Sequence, residues 1–533
     1  MKKLTVVLML LLFGSLNFAQ TMLSGDITSD MTLTSDQSYL LSGLVRVQSP
    51  AVLTIEPGTI IYGENSSNGS LIIKPGAKIM AEGTVSEPIV FTSEFAKPGS
   101  SQQPQSGDWG GLILLGNAPI NPAGGTASIE GPGDTYGGTD PHDNSGVVKY
   151  VRIEYAGIAY SPNNEINAMT FGGVGDGTTI DYVEAAYSND DSYEWFGGTV
   201  NCKHLIAYRG IDDDFDTDFG FEGKLQFLLG IRDPQVADVV SGSNGFESDN
   251  DGSGSLNTPR TSPMWWNVTL VGPQATTDAP YSSDFKRGMH LRRSSQNKVN
   301  NTIIMGWPTG ILVDGKQTTA DAESNIMFVK NSIIAGASKK NLDTVSSNGT
   351  FNVETWFSNN DSRILSTAAE VMLTSPFDLN NPNALPLAGS PALTGAGTPP
   401  DDGFFDATAN YVGAFKDVDW TFGWARFNPD STTAGVKEIK STRTLPVNFE
   451  LSQNYPNPFN PTTRINYAIT QSSQVTLIVY NILGQQVAVL VNGYKNAGNY
   501  QLTWDASNLP SGIYIYRIEA GAQVMSKKMT LLK

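Results

Sequence analysis

The stretch from Leu53 to Ser93 constrains this chain more than any other. Leu53-Thr54-Ile55-Glu56-Pro57-Gly58 recurs 18 residues later as Leu71-Ile72-Ile73-Lys74-Pro75-Gly76. Each copy is a short β-branched run ended by Pro-Gly, which is a strand followed by a sharp corner. A period of about 20 residues that holds strands and turns but no helical pattern belongs to a solenoid. The predicted form is a right-handed parallel β-helix, whose coils pair strand upon strand about 4.8 Å apart. The 54 glycines and a charged fraction of only 16% fit an all-β chain dense in turns.

The repeats can be followed downstream. Tyr150-Val151-Arg152-Ile153-Glu154-Tyr155 matches Tyr182-Val183-Glu184-Ala185-Ala186-Tyr187, with a looser copy at His204 to Gly210. Tyr155, Tyr187 and Tyr208 are expected to stack as a ladder, with a coil length of 21 residues. Asn267, Asn301 and Asn331 each open an Asn-led apolar run ending in Gly. These asparagines are expected at left-handed corners, bonded amide to amide between coils. Residues 96–146 read as a long loop thrown out around one apolar strand, Gly111 to Gly116. The aromatic stretch Tyr411 to Trp424 reads as a cap over the last open coil. Residues 429–444 read as a linker, so the β-helix body is placed at 20–428.

The ends of the chain speak of export. Lys2 and Lys3 precede an apolar run from Leu4 to Phe13, then Asn17-Phe18-Ala19, which predicts a signal peptide over 1–19. No other run approaches the roughly 20 apolar residues of a membrane helix, so no transmembrane segment is expected. The single cysteine, Cys202, permits no intrachain disulfide and reads as core filler.

Net charge is −18, or −20 once Lys2 and Lys3 are gone. The last 89 residues carry six basic and three acidic side chains, leaving the body at −23. Such a body repels phosphate backbones, which excludes nucleic acid as a partner and favours divalent cations.

Residues 445–533 change character, to about seven short alternating strands of a small immunoglobulin-like sandwich. Gln453-Asn454-Tyr455-Pro456-Asn457-Pro458-Phe459-Asn460-Pro461-Thr462-Thr463 opens the module. Tyr480-Asn481-Ile482-Leu483-Gly484, Leu509-Pro510-Ser511-Gly512-Ile513-Tyr514 and Lys527-Lys528-Met529-Thr530-Leu531-Leu532-Lys533 follow. Together they resemble the type A C-terminal sorting domain of type IX secretion substrates. The resemblance implies that the module docks with the outer-membrane export machinery. It also implies removal of the module as the cargo is released or attached to surface lipopolysaccharide. The expected location is extracellular or on the outer surface of a Gram-negative cell, reached through the periplasm.

Candidate chemistry lies between about Asp190 and Trp307. Asp190, Asp191, Asp212, Asp213, Asp214, Asp216 and Asp218 fall on consecutive coils, and Asp233 follows Asp212 by 21 residues. Asp249 and Asp251 lie just beyond. Stacked carboxylates repel by roughly 1 kcal/mol at about 5 Å in water, and more near a protein surface. A bound cation relieves this, and hard oxygen ligands favour Ca²⁺. Solvated Asp residues capping turns are the plainer explanation. The body's basic cluster is Lys286, Arg287, His290, Arg292, Arg293 and Lys298. In a strand Arg292 and Arg293 point to opposite faces. With Trp265, Trp266 and Trp307 on neighbouring coils, Arg292 and Arg293 suit a polysaccharide ligand, although packing and surface charge are the plainer explanation of the same residues. No nucleophile elbow, His-Glu-x-x-His or phosphate loop occurs, and His142, His204 and His290 lack metal-ligand spacing. The expected function is an exported, glycan-binding or adhesive β-helix. The alternatives are a Ca²⁺-dependent polysaccharide lyase or glycosidase on the same scaffold, or a structural surface-layer component.

Overall fold

The computed structural model describes residues 20–427 except 98, 162–163 and 347–348, and residues 437–441 and 448–533 except 472, 483–485, 496, 507–508 and 522. The signal peptide reading at 1–19 lies outside the described residues.

The body is a parallel β-helix. One ladder climbs from Val52–Ile55 through Lys78–Glu82, Gly146–Glu154, Thr179–Ala186, Asn201–Tyr208, Lys224–Ile231 and Met264–Val271 to Lys298–Met305, every step parallel. A second ladder runs from Ser38–Val47 through Ser70–Ile73, Leu112–Leu115, Met169–Val174, Tyr193–Gly198, Phe215–Asp218, Ser243–Ser248 and Phe285–Leu291 to Thr309–Asp314. The β-branched runs supply side chains for both faces, and the inward set forms one continuous core along the solenoid axis.

From Gly146–Glu154 onward, each strand of the first ladder bends at one left-handed residue, and Asn331 continues the series one coil further on. The series is Tyr150, Tyr182, His204, Phe227, Asn267, Asn301 and Asn331, with φ between 49° and 64°. Asparagine tolerates this conformation, whereas an aromatic residue adopts it at a cost. Stacking offsets that cost: Tyr150–Tyr182, Tyr182–His204 and His204–Phe227 ring centroids lie 4.4, 4.1 and 4.9 Å apart.

The asparagine corners stand where expected, but their amides do not bond to one another. Asn267 donates to the carbonyls of Ala409 and Tyr411, and Asn331 to that of Gly395. Asn301 donates to the Gly397 carbonyl at 2.9 Å and accepts the Gly397 N–H at 2.8 Å. The chain near its end thus runs back along the solenoid's flank. Trp424 packs edge-on to Tyr150 and Tyr182, and the Arg426 N–H reaches Glu184. The aromatic stretch Tyr411 to Trp424 is therefore a lateral strap, not an end cap. An apolar outer stripe that includes Ile206, Ile231, Val271, Ile303 and Ile333 requires this cover. Phe351, Val353, Trp356 and Phe357 join the last coils of the axial core, in and beside the short helix Val353–Ser358.

Three further expectations need correction. The tyrosine ladder is Tyr155–Tyr187, stacked at 5.1 Å, and then Arg209, whose guanidinium lies over Tyr187. Tyr208 pairs instead with Ala186, so the coil is 22 residues long here rather than 21. The apolar strand at Leu112–Leu115 is a rung of the second ladder, so the loop read over 96–146 is interrupted by a coil. Lys437–Ser441, read as linker, is a strand paired with Gly498–Asp505.

The C-terminal module holds two antiparallel four-stranded sheets around Tyr467, Leu477, Trp504 and Tyr516, in keeping with a β-sandwich.

Candidate functional site

The second ladder alternates between the axial core and an outer face, and on that outer face Thr170, Glu194 and His290 are themselves buried. Tyr193, Trp195, Phe215, Phe246, Met289 and Leu291 point inward and are buried. The intervening residues stand on the outer face in register: Thr170, Glu194, Asp216, Glu247 and His290 form one column across five coils. Two residues along, Asp218 pairs with Phe196, and Asp249 and Arg292 continue beyond the strand ends.

At the other end of these strands the turns add more carboxylates. Asp191 Oδ1 accepts the N–H of Asp213 at 2.8 Å, and Asp213 Oδ1 accepts that of Asn244 at 2.5 Å. These bonds fix the side chains in step with the coils. As a result the carboxylate oxygens of Asp190, Asp191 and Asp212 lie within 4.8 Å of one another, as do those of Asp191, Glu194 and Asp216. Two oxygens bound to one Ca²⁺ at 2.3–2.6 Å lie at most about 5 Å apart, so neither set exceeds the span that one such ion can bridge. Asn167, fully buried, donates to Glu194 Oε2 at 2.5 Å, yet its own Oδ1 has no partner. Asp216 Oδ1 is likewise buried and unpaired. Buried oxygens left without donors beside a cluster of hard ligands are what a cation would satisfy.

Charge divides along the column. Burial, reinforced by neighbouring carboxylates, pushes Asp190, Asp191, Glu194, Asp213 and Asp216 well above the usual carboxylate range. Burial also raises Asp212 and Asp218, each to about 7. Glu130 and Glu165, from the insertions beside these coils, add to the repulsion on Asp190. One coil further on the balance reverses. Burial alone would raise Glu247, but the hydrogen bond from His290 and the charges of Arg292 and Arg293 hold it low. His290 Nδ1 lies 3.1 Å from Glu247, and Arg292 bonds to both Glu247 and Asp249. Arg287, beside Asn244 and Thr309, takes part in no ion pair among the described residues.

Several expected site residues lie elsewhere. Asp214 points into the core, where it pairs with the fully buried Arg232 at 2.8 Å. Asp233 stands at another corner, paired with Arg209, because the next coil is longer and brings Asn244, 31 residues on, beside Asp213. Asp251 closes its own turn through Ser253 and Ser255. Asp249 is neutralised by Arg292 and Arg293. Both arginines reach the same carboxylate because Arg293 lies past the strand end with φ +46°. Trp265 and Trp307 are core residues, and Trp266 is buried beside Phe405 of the flanking strap; none presents a ring to a ligand. Glu194, Glu247, Asn167 and Asn244 went unnoticed in the sequence. Setting Tyr193-Glu194-Trp195-Phe196 against Phe215-Asp216-Thr217-Asp218 at 22 residues would have found Glu194.

A family profile described as a pectate-lyase-like β-helix domain matches residues 25–371. The chain belongs to the pectate-lyase-like β-helix family. A second profile, the secretion-system C-terminal sorting domain, matches residues 453–531 of this β-helix protein. Its sorting tail implies interaction with the type IX machinery and export to the cell surface or beyond. No curated protein matches the chain. Among solved structures, the A-module of the mannuronan C-5 epimerase AlgE6 of Azotobacter vinelandii is similar at 10% identity and a TM-score of 0.26. The match covers 66% of this chain and 91% of that one. No helix among the described residues is long and apolar enough to cross a membrane.

Proposed function

We propose that this exported β-helix binds an acidic polysaccharide along the outer face of its second ladder, through Ca²⁺ and arginine. The observation that carries the reading is the in-register column Glu194–Asp216–Glu247–His290, with Asp191 beside its acidic half. Asp191, Glu194 and Asp216, with Asp190 and Asp212, would hold the cation, whose remaining positive charge attracts carboxylates of the polymer. Arg287, and Arg293 with 43% of its side chain exposed, would take neighbouring sugar carboxylates directly. The body serves as a surface or secreted adhesive module once the sorting tail has delivered it, whether released or attached to surface lipopolysaccharide.

A second reading, catalysis by a lyase or glycosidase, draws on Asp212 and Asp218. Groups that titrate near neutrality on a ligand-facing surface suit proton transfer. A polysaccharide panel run in Ca²⁺ and in chelator tests both. Retention of a polyuronate only in Ca²⁺, without cleavage, supports the binder. Unsaturated products or new reducing ends support the enzyme. Neither retention nor cleavage would leave the structural surface-layer role.

A further inference from the structure

One edge strand of the sorting module is covered over only half its length. In its second sheet the strands Gln486–Lys495, Ser473–Asn481, Gly512–Ala520 and Gln523–Leu531 lie in that order, so Gln523–Leu531 is the outer strand. The second half of its free edge is closed. Gln453 donates to the Lys528 carbonyl, Asn457 accepts the Thr530 N–H, and Phe459 donates to the Thr530 carbonyl. The same alternation turns the backbone groups of Val524 and Ser526 outward, and among the described residues nothing takes them. Edge strands in soluble proteins are normally blunted by charge, proline or a cover. Here Val524 and Met525, on opposite faces of the strand, are 49% and 39% exposed. On the outer face beside them stand Glu519, opposite Val524, and Arg517, opposite Ser526, paired with each other at 2.6 Å, while the half-exposed Ile515 and Ile513 lie further along, opposite Lys528 and Thr530.

We infer that Val524–Lys527 is the docking edge of the tail, where a component of the export machinery adds one β-strand carrying apolar side chains. The proposal rests on the sorting role that the tail's profile assigns. Strand addition uses main-chain hydrogen bonds for affinity and side chains on alternate faces for selectivity, which fits a shared address on unrelated cargoes. The occupant must be extended, to reach the Val524 and Ser526 groups, and apolar where it covers the exposed Val524 and Met525.

Ser526→Pro tests this, because it removes one outward N–H and leaves every bond to the neighbouring strand intact. Ser526→Ala keeps the N–H and is the control. The full-length chain and both variants are expressed in a type IX-competent host, and the secreted and periplasmic fractions are measured with the melting temperature of each protein. Ser526→Pro is expected to cut secretion about tenfold at unchanged melting temperature, with Ser526→Ala secreted normally. Val524→Pro, two residues away on the same edge, should do the same, so a folding defect confined to one variant does not decide the matter. Parental secretion of both proline variants would overturn the proposal. So would a parental dimer that both variants dissolve without loss of secretion, which would show the edge pairing two copies. Deleting residues 445–533 separates the two claims: if that truncation is still secreted, the sorting role itself fails.

Discussion

Replacing Asp216 by Asn should change stability with opposite signs in the presence and absence of Ca²⁺. One carboxylate oxygen of Asp216 lies within 4.8 Å of one from each of Asp191 and Glu194, and none of the three takes part in an ion pair among the described residues. Two full charges about 5 Å apart repel by about 3 kcal/mol at an effective dielectric of 20. Partial protonation lowers this, since all three groups are raised above their ordinary range. In chelator, removing one charge should therefore stabilise the body by about 1 kcal/mol. With Ca²⁺ at a hundred times its dissociation constant, the parent gains about 2.7 kcal/mol, and the variant loses most of that gain. The net loss in Ca²⁺ is thus about 1.5–2 kcal/mol, and a body of roughly 400 residues converts these energies to about +1 °C and −2 °C in Tm. Differential scanning calorimetry in EGTA and in millimolar Ca²⁺ reads both. Equal shifts of one sign in the two buffers would refute the cation reasoning.

The remaining expectations concern pH, the strap, the core and the ligand. Asp212 and Asp218 have folded values near 7, above those of the unfolded chain. Their contribution is full below about pH 4 and is lost as pH rises toward and through 7, so Tm in EGTA should fall between pH 5 and pH 8, while Ca²⁺ flattens the fall. Asn301→Ala removes both bonds to Gly397 and leaves a non-glycine residue at φ +50°. It should cost about 2–3 kcal/mol and expose residues 395–427 to limited proteolysis. Arg232→Met leaves Asp214 buried and unpaired, and should cost about 3–5 kcal/mol in chemical denaturation. Arg287→Ala should weaken polyuronate retention without moving Tm, whereas Trp265→Ala should lower stability by about 3–5 kcal/mol. The reverse pattern would restore the tryptophans as ligand contacts.

The solenoid was legible because its strands and corners repeat at a nearly fixed interval, and strand alternation leaves little freedom once the coil length is known. The sorting module was legible from motifs at the end of the chain. The site was half legible. Asp191 and Asp212 do come together, but a fixed coil length misplaced Asp233, because the next coil is longer and brings Asn244, 31 residues on, beside Asp213. Asp214 misled because a chain in extended conformation reverses its faces at every residue: between Asp213 and Asp216 it turns inward, and only Arg232 on the next coil explains how a carboxylate survives there. The tryptophans misled for a different reason. Composition cannot tell an aromatic side chain that fills a wide solenoid core from one that lines a groove. Nor could local pattern show that Tyr411 to Trp424 returns along the flank, since the asparagine corners that hold it lie about 100 residues earlier in the chain.

Isothermal titration of Ca²⁺ into the full-length protein at pH 7 tests the central claim most directly. Binding should be accompanied by proton release, because ligands raised toward neutrality must deprotonate as the ion enters. Glu194→Gln together with Asp216→Asn should abolish it. Absence of binding in the parent, or binding undiminished in the double variant, would contradict a cation held on the carboxylate column of this β-helix.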